Sequence, residues 1–79
     1  MINNTYKFDE KMMSEIGHAL WLARQEKRLF IYQVAKRVRV PIDMIDVMEL
    51  GKAFDVGACQ KLLKFYGKSM RIVFDSIIK

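Results

Sequence analysis

Cysteine is almost missing from this 79-residue chain, and Cys59 alone cannot close an internal disulfide. Histidine also occurs once, as His18, so no cluster exists from which a structural zinc site could be assembled. The four glycines, Gly17, Gly51, Gly57 and Gly67, are scattered and build neither a phosphate loop nor a dinucleotide fingerprint. No nucleophile is accompanied by a base and an oxyanion partner, so no catalytic residues are assigned and an enzyme is not expected. Nothing calls for a metal or a cofactor. No apolar run reaches the roughly 18 residues that span a bilayer, and Met1 to Glu10 is too polar for a secretory signal. Membrane insertion is therefore not expected, and a cytoplasmic location is. Low-complexity linkers and internal repeats are lacking as well.

What is present argues for a folded domain. Hydrophobic residues make up 52% of the chain, with five Phe, three Tyr and one Trp, a composition that disordered segments do not have. A chain of this length buries only about 60% of its unfolded surface, so one domain is the ceiling and helix packing must be efficient. Fourteen Lys and Arg against nine Asp and Glu leave a formal charge of +5.

Periodicity divides the chain into helices. Residues 1–8 read as a polar N-terminal arm and residues 9–67 as the helical domain. From about Asp9 to Lys27, Met12, Met13, Ile16, Leu20 and Ala23 recur at three- or four-residue intervals, which predicts one buried stripe. Asp9 and Glu10 suit the positive end of that helix, and Lys27 and Arg28 its negative end. Tyr32, Val34, Ala35 and Val38 form a second apolar set, stopped at Arg39-Val40-Pro41 because proline disfavours helical angles in the residue before it. Met44, Ile45, Val47 and Met48 form a third, ended at Leu50-Gly51, and a fourth helix is expected from Val56 to Tyr66 with Gly67 as its stop. The fold class expected is all-α, with four to five helices.

Residues 68–79 read two ways. Met70, Ile72 and Phe74 alternate as in a strand, whereas Met70, Val73, Phe74 and Ile77 fit a helix. The β-branched and aromatic run Ile72-Val73-Phe74 favours the strand. A lone strand among helices would pair with its copy in a second chain, so Met70, Ile72 and Phe74 are candidate dimerisation residues of a homodimer.

The run Ile16-Gly17, Leu20, Ala23-Arg24, Lys27, Leu29, Val34-Ala35, Val38, Val40, Ile45, Met48-Glu49 and Gly51 resembles the helix-turn-helix domain of Xre/Cro-type, phage-repressor-like regulators. The resemblance implies a lambda-repressor-like fold, double-stranded DNA as partner and an Arg24–Glu49 ion pair. The pair also has a physical rationale, since a carboxylate near DNA repels phosphate unless a guanidinium neutralises it through two hydrogen bonds. By the same resemblance the helix near residues 42–50 would read the major groove, presenting Ile42, Asp43, Met44, Asp46 and Val47. A basic arc of Lys27, Arg28, Lys36, Arg37, Arg39 and Lys52 would supply attraction to the phosphates.

The chain departs from the family pattern in places. Ile42, Asp43 and Val47 stand where polar base-reading residues are usual, Phe30 and Ile31 replace a polar cap and a Gln, and Arg39 replaces the turn glycine. In these features, and in Val34-Ala35, Arg39-Val40-Pro41 and Ile45 to Gly51, it is similar to the cytoplasmic helix-turn-helix of the cell-shape protein RodZ, a protein-binding domain. That likeness implies an alternative partner, another protein held through the acidic helix or through helix 1 around Trp21, where His18, Trp21, Leu22 and Gln25 lie off the buried stripe.

Overall fold

A computed structural model describes residues 10–70, which form four α-helices and, among the described residues, no strand. Helix α1 runs Glu10–Glu26, α2 Ile31–Val38, α3 Ile42–Glu49 and α4 Val56–Tyr66. Helix α1 packs on α3 and α4, and α2 packs on the same two helices.

The buried stripe of α1 is Gly17, Leu20 and Ala23, with Ile16 half-covered beside it. These side chains meet Val34 and Ala35 of α2, Val40 of the turn, Ile45 and Met48 of α3, and Ala58, Cys59, Leu62 and Tyr66 of α4 in one core. Gly17 makes the tightest crossing. A Cβ built there would collide with the carbonyl oxygen of Met48 and lie 2.8 Å from that of Glu49. Glycine is therefore what lets α1 seat its backbone against the end of α3.

Each helix has a physical stop. Helix α1 gives way at Lys27 and Arg28, which lie in the turn rather than in the last helical turn as the sequence suggested, and Arg28 is left-handed at φ 55°. Helix α4 begins at Asp55, whose Oδ2 accepts from the Ala58 amide at 2.8 Å, and ends at Gly67 in the left-handed conformation. Among the described residues no helix is long and apolar enough to cross a membrane, and no group of His, Cys, Asp or Glu is arranged to hold a metal ion.

Two expectations change or fall away. Tyr32, a member of the second apolar set in the sequence, is 57% exposed and stacks on Phe30, because two residues before Val34 is the far side of a helix. Lys68 to Met70 belong to neither strand nor helix, and Ile72 and Phe74 lie outside the described residues together with the N-terminal arm.

Candidate nucleic-acid interface

The α2–turn–α3 corner is built locally from its caps. Phe30 is the N-cap of α2 but offers no side-chain acceptor; the Oε1 of Gln33 reaches back to the Phe30 amide at 2.7 Å and satisfies that donor. At the other end Arg39 adopts φ 61°, and the amides of Arg39 and Val40 both donate to the Ala35 carbonyl, at 2.9 and 3.3 Å. This is the left-handed corner that glycine usually occupies, here carried by an arginine whose side chain remains exposed. Val40 turns inward to the core at 4% exposure, and Pro41 opens α3 by accepting from the amides of Met44 and Ile45. The connection is three residues long, Arg39 to Pro41, as the sequence suggests.

Helix α3 has two sides. Ile45 and Met48 are fully buried, Met44 and Val47 are half-buried, and Ile42, Asp43 and Asp46 are exposed. The outward edge thus runs Ile42, Asp43, Asp46 and on to Leu50, itself 59% exposed past the end of the helix. Asp43 lies in the first turn, where a negative charge favours the helix dipole, and this gives it a structural use independent of any ligand.

The far end of α3 is braced from α1. Arg24 Nε donates to Glu49 Oε2 and Nη2 to Glu49 Oε1, both at 2.8 Å, while Nη1 donates to the Leu29 carbonyl at 3.0 Å. The side chains are only 12% and 6% exposed, so the pair lies in a setting of low dielectric. Its hydrogen bonds to Glu49 raise the pKa of Arg24 beyond its ordinary value, against the opposing effect of burial; the fields of Tyr66 and Asp46 act in the same direction as Glu49. Tyr66 of α4 is buried in the core and lies within the field of both charges. Burial pushes its phenol up to about 12, with the charge of Glu49 adding to the shift, and its hydroxyl has no hydrogen-bond partner among the described residues.

Exposed cations lie on the segments that flank α3 in the chain: Lys36 and Arg37 in the last turn of α2, Arg39 in the corner and Lys52 after α3. None of them forms an ion pair with Asp43 or Asp46; the salt bridges among the described residues are Arg24–Glu49 and Lys68–Glu26. Lys27 and Arg28 lie in the α1–α2 turn, and Lys27 Nζ sits 5.9 Å from the Phe65 ring centroid, which directs it to α4. Cys59 is buried in the core, and desolvation pushes its thiol up, away from the reactive thiolate.

Some features escaped the sequence. The coplanar stack of Phe30 on Tyr32, with centroids 5.8 Å apart, leaves both rings exposed beside the start of α2. His18 likewise stacks on Trp21 at 5.9 Å on the outer face of α1. Residue types hint at neither, since each depends on rotamers at i, i+2 or i, i+3. The Leu29 carbonyl as a third acceptor for Arg24 is equally invisible in a linear reading, because it needs the left-handed residue Arg28 to turn it inward. No family model, characterised protein or solved structure matches the chain.

Proposed function

We propose that this chain is a DNA-associated regulator of the helix-turn-helix kind, with α3 directed to the major groove and the cations around it facing the phosphates. The observation that supports this reading best is the Arg24–Glu49 brace, which fixes α3 by its C-terminal end while Ile42, Asp43 and Asp46 remain outward. Attraction would come chiefly from Lys36, Arg37, Arg39 and Lys52, and the base edges would meet Ile42, an apolar surface for a thymine methyl, and two carboxylates suited to the cytosine amino group.

One observation favours a second reading, a helix-turn-helix that binds another protein. Asp43 and Asp46 are exposed and, among the described residues, without an ion pair, so bringing α3 to a phosphate-lined groove works against two charges. Phe30, Tyr32, Ile42 and Leu50 offer exposed apolar surface on the α2–α3 segment and its flanks, and Trp21 with His18 offers more on α1. Fluorescence anisotropy of a labelled duplex separates the readings when wild type is compared with Asp43→Asn/Asp46→Asn. On a duplex of arbitrary sequence, where attraction to phosphate dominates, the DNA reading expects wild type to bind and the double variant to bind several-fold more tightly, by removal of repulsion. A folded wild-type protein that leaves the duplex free would hand the surface to a protein partner.

A further inference from the structure

Helix α1 carries a stripe that the core does not use: Glu15, Ala19, Leu22 and Glu26, spaced by four, three and four residues, with Leu22 45% exposed. Beside it Leu63 of α4 closes the far wall, and the space between forms an apolar groove of about 410 Å³. The described chain runs into this groove. After α4 stops at Gly67, Lys68 Nζ pairs with Glu26 Oε1 at 3.1 Å at one end of the stripe, and Met70 joins the lining. From Glu26 the stripe continues to Glu15 over about 16 Å of helix.

The sequence that follows Met70 is Arg71-Ile72-Val73-Phe74-Asp75-Ser76-Ile77-Ile78-Lys79. Its two readings, a strand with Met70, Ile72 and Phe74 on one side or a helix with Met70, Val73, Phe74 and Ile77, agree on one point: Phe74 shares a face with Met70. From Met70, Phe74 is reached in about 13 Å of extended chain or about 6 Å of helix, so either spacing keeps it within the length of the groove.

We infer that the groove between α1 and α4 is the seat of this chain's own C-terminal segment, which lays Phe74 over Ala19 and Leu22 behind the anchor made by Lys68, Glu26 and Met70. Tethering decides the occupant. A segment attached at the mouth of its groove experiences an effective concentration in the millimolar range, on the order of a thousandfold above a second copy at micromolar protein. The inference goes beyond the macromolecule bound at α3, since the groove lies on α1 and α4, and it assigns Met70, Ile72 and Phe74 a place other than a strand shared between two chains.

The test uses the whole chain in solution by nuclear magnetic resonance. The inference expects Overhauser contacts from the Phe74 ring to the methyls of Leu22 and Ala19, and their disappearance in an isotope-filtered experiment on an equal mixture of labelled and unlabelled protein. Contacts that survive the filter would place a second copy in the groove and overturn the inference, as would the lack of any contact. A second readout needs no aromatic assignment. Leu22→Asp should raise the amide exchange of residues 72–78 at least tenfold while the amides of Val34 to Met48 keep their protection; unchanged exchange in the tail would also overturn it.

Discussion

Arg24 and Glu49, 25 residues apart in sequence, face each other through two parallel hydrogen bonds of 2.8 Å. They tie the last turn of α1 to the last residue of α3, and the third donor of Arg24 ties in the loop at Leu29. With one partner removed, the other is left charged in a nearly closed site, which is the costly way to break such a pair. Arg24→Ala is expected to lower stability by about 3–5 kcal/mol, a large part of the roughly 4–12 kcal/mol available to a domain of this size. Arg24→Lys keeps the charge but loses the planar fork, and should recover only part of that loss. Urea denaturation with matched slopes gives the comparison.

The crossing of α1 over α3 is set by a missing side chain. Gly17→Ala would press a Cβ onto the backbone carbonyls of Met48 and Glu49, which cannot swing aside as a flexible side chain would. A loss of about 2–3 kcal/mol or more is expected, together with a shift in the α3 amide resonances. Gly57 is the control, because among the described residues a Cβ there meets only Asp55 Oδ2 at 3.5 Å. Gly57→Ala should be neutral or stabilise by up to about 1 kcal/mol, through the better helix propensity of alanine. Thermal melts of the two variants should therefore move apart.

Much of this was legible in the sequence, and the part that was not has a common cause. The spans of α2, α3 and α4 follow from local signals: the apolar sets of Val34-Ala35-Val38 and Ile45-Met48, proline at 41, and glycine after α4. The Arg24–Glu49 contact was reached through a pattern of residue types rather than through geometry. The exposure of Tyr32 is not legible in the apolar set alone, which does not say which member points outward until the helical angle is applied. The groove along Ala19 and Leu22 and the position of the Tyr66 hydroxyl beside the brace need the relative placement of two or three helices, and no spacing in the chain encodes that.

Tyr66 gives a pH dependence of definite sign. Its phenol is raised in the folded state from its ordinary value of 10.0 to about 12, chiefly by burial. The neutral form is thus favoured by folding, so its contribution is fully present below pH 10 and is lost as the pH rises toward 12. A decline of about 2–3 kcal/mol over that interval is expected, superimposed on the titration of other groups. Tyr66→Phe should remove this part of the alkaline decline. At neutral pH it should change stability little or raise it by about 1 kcal/mol, since a buried hydroxyl without a hydrogen-bond partner among the described residues is removed. Denaturant titrations of both proteins between neutral pH and pH 12 give the two curves.

Arg39 separates folding from binding. Its φ of 61° is costly for a residue with a Cβ, whereas glycine accepts it readily. Arg39→Gly is expected to leave stability within about 1 kcal/mol of wild type, the relief of strain being offset by the greater freedom of glycine in the unfolded chain. Duplex affinity should nevertheless fall. An Arg39→Gly protein that melts like wild type and binds DNA equally well would take the corner away from the phosphates.

The salt dependence of duplex binding tests the assignment of α3 and its flanking cations to DNA most directly. If Lys36, Arg37, Arg39 and Lys52 neutralise phosphates, the logarithm of the association constant should fall linearly with the logarithm of salt concentration, with a slope of about −3 to −4. Replacing Lys36, Arg37 and Arg39 together by alanine should bring the slope to about −1. Binding that ignores salt, or no binding at low salt by a chain whose helical circular dichroism is intact, would contradict the assignment of this helical corner to DNA.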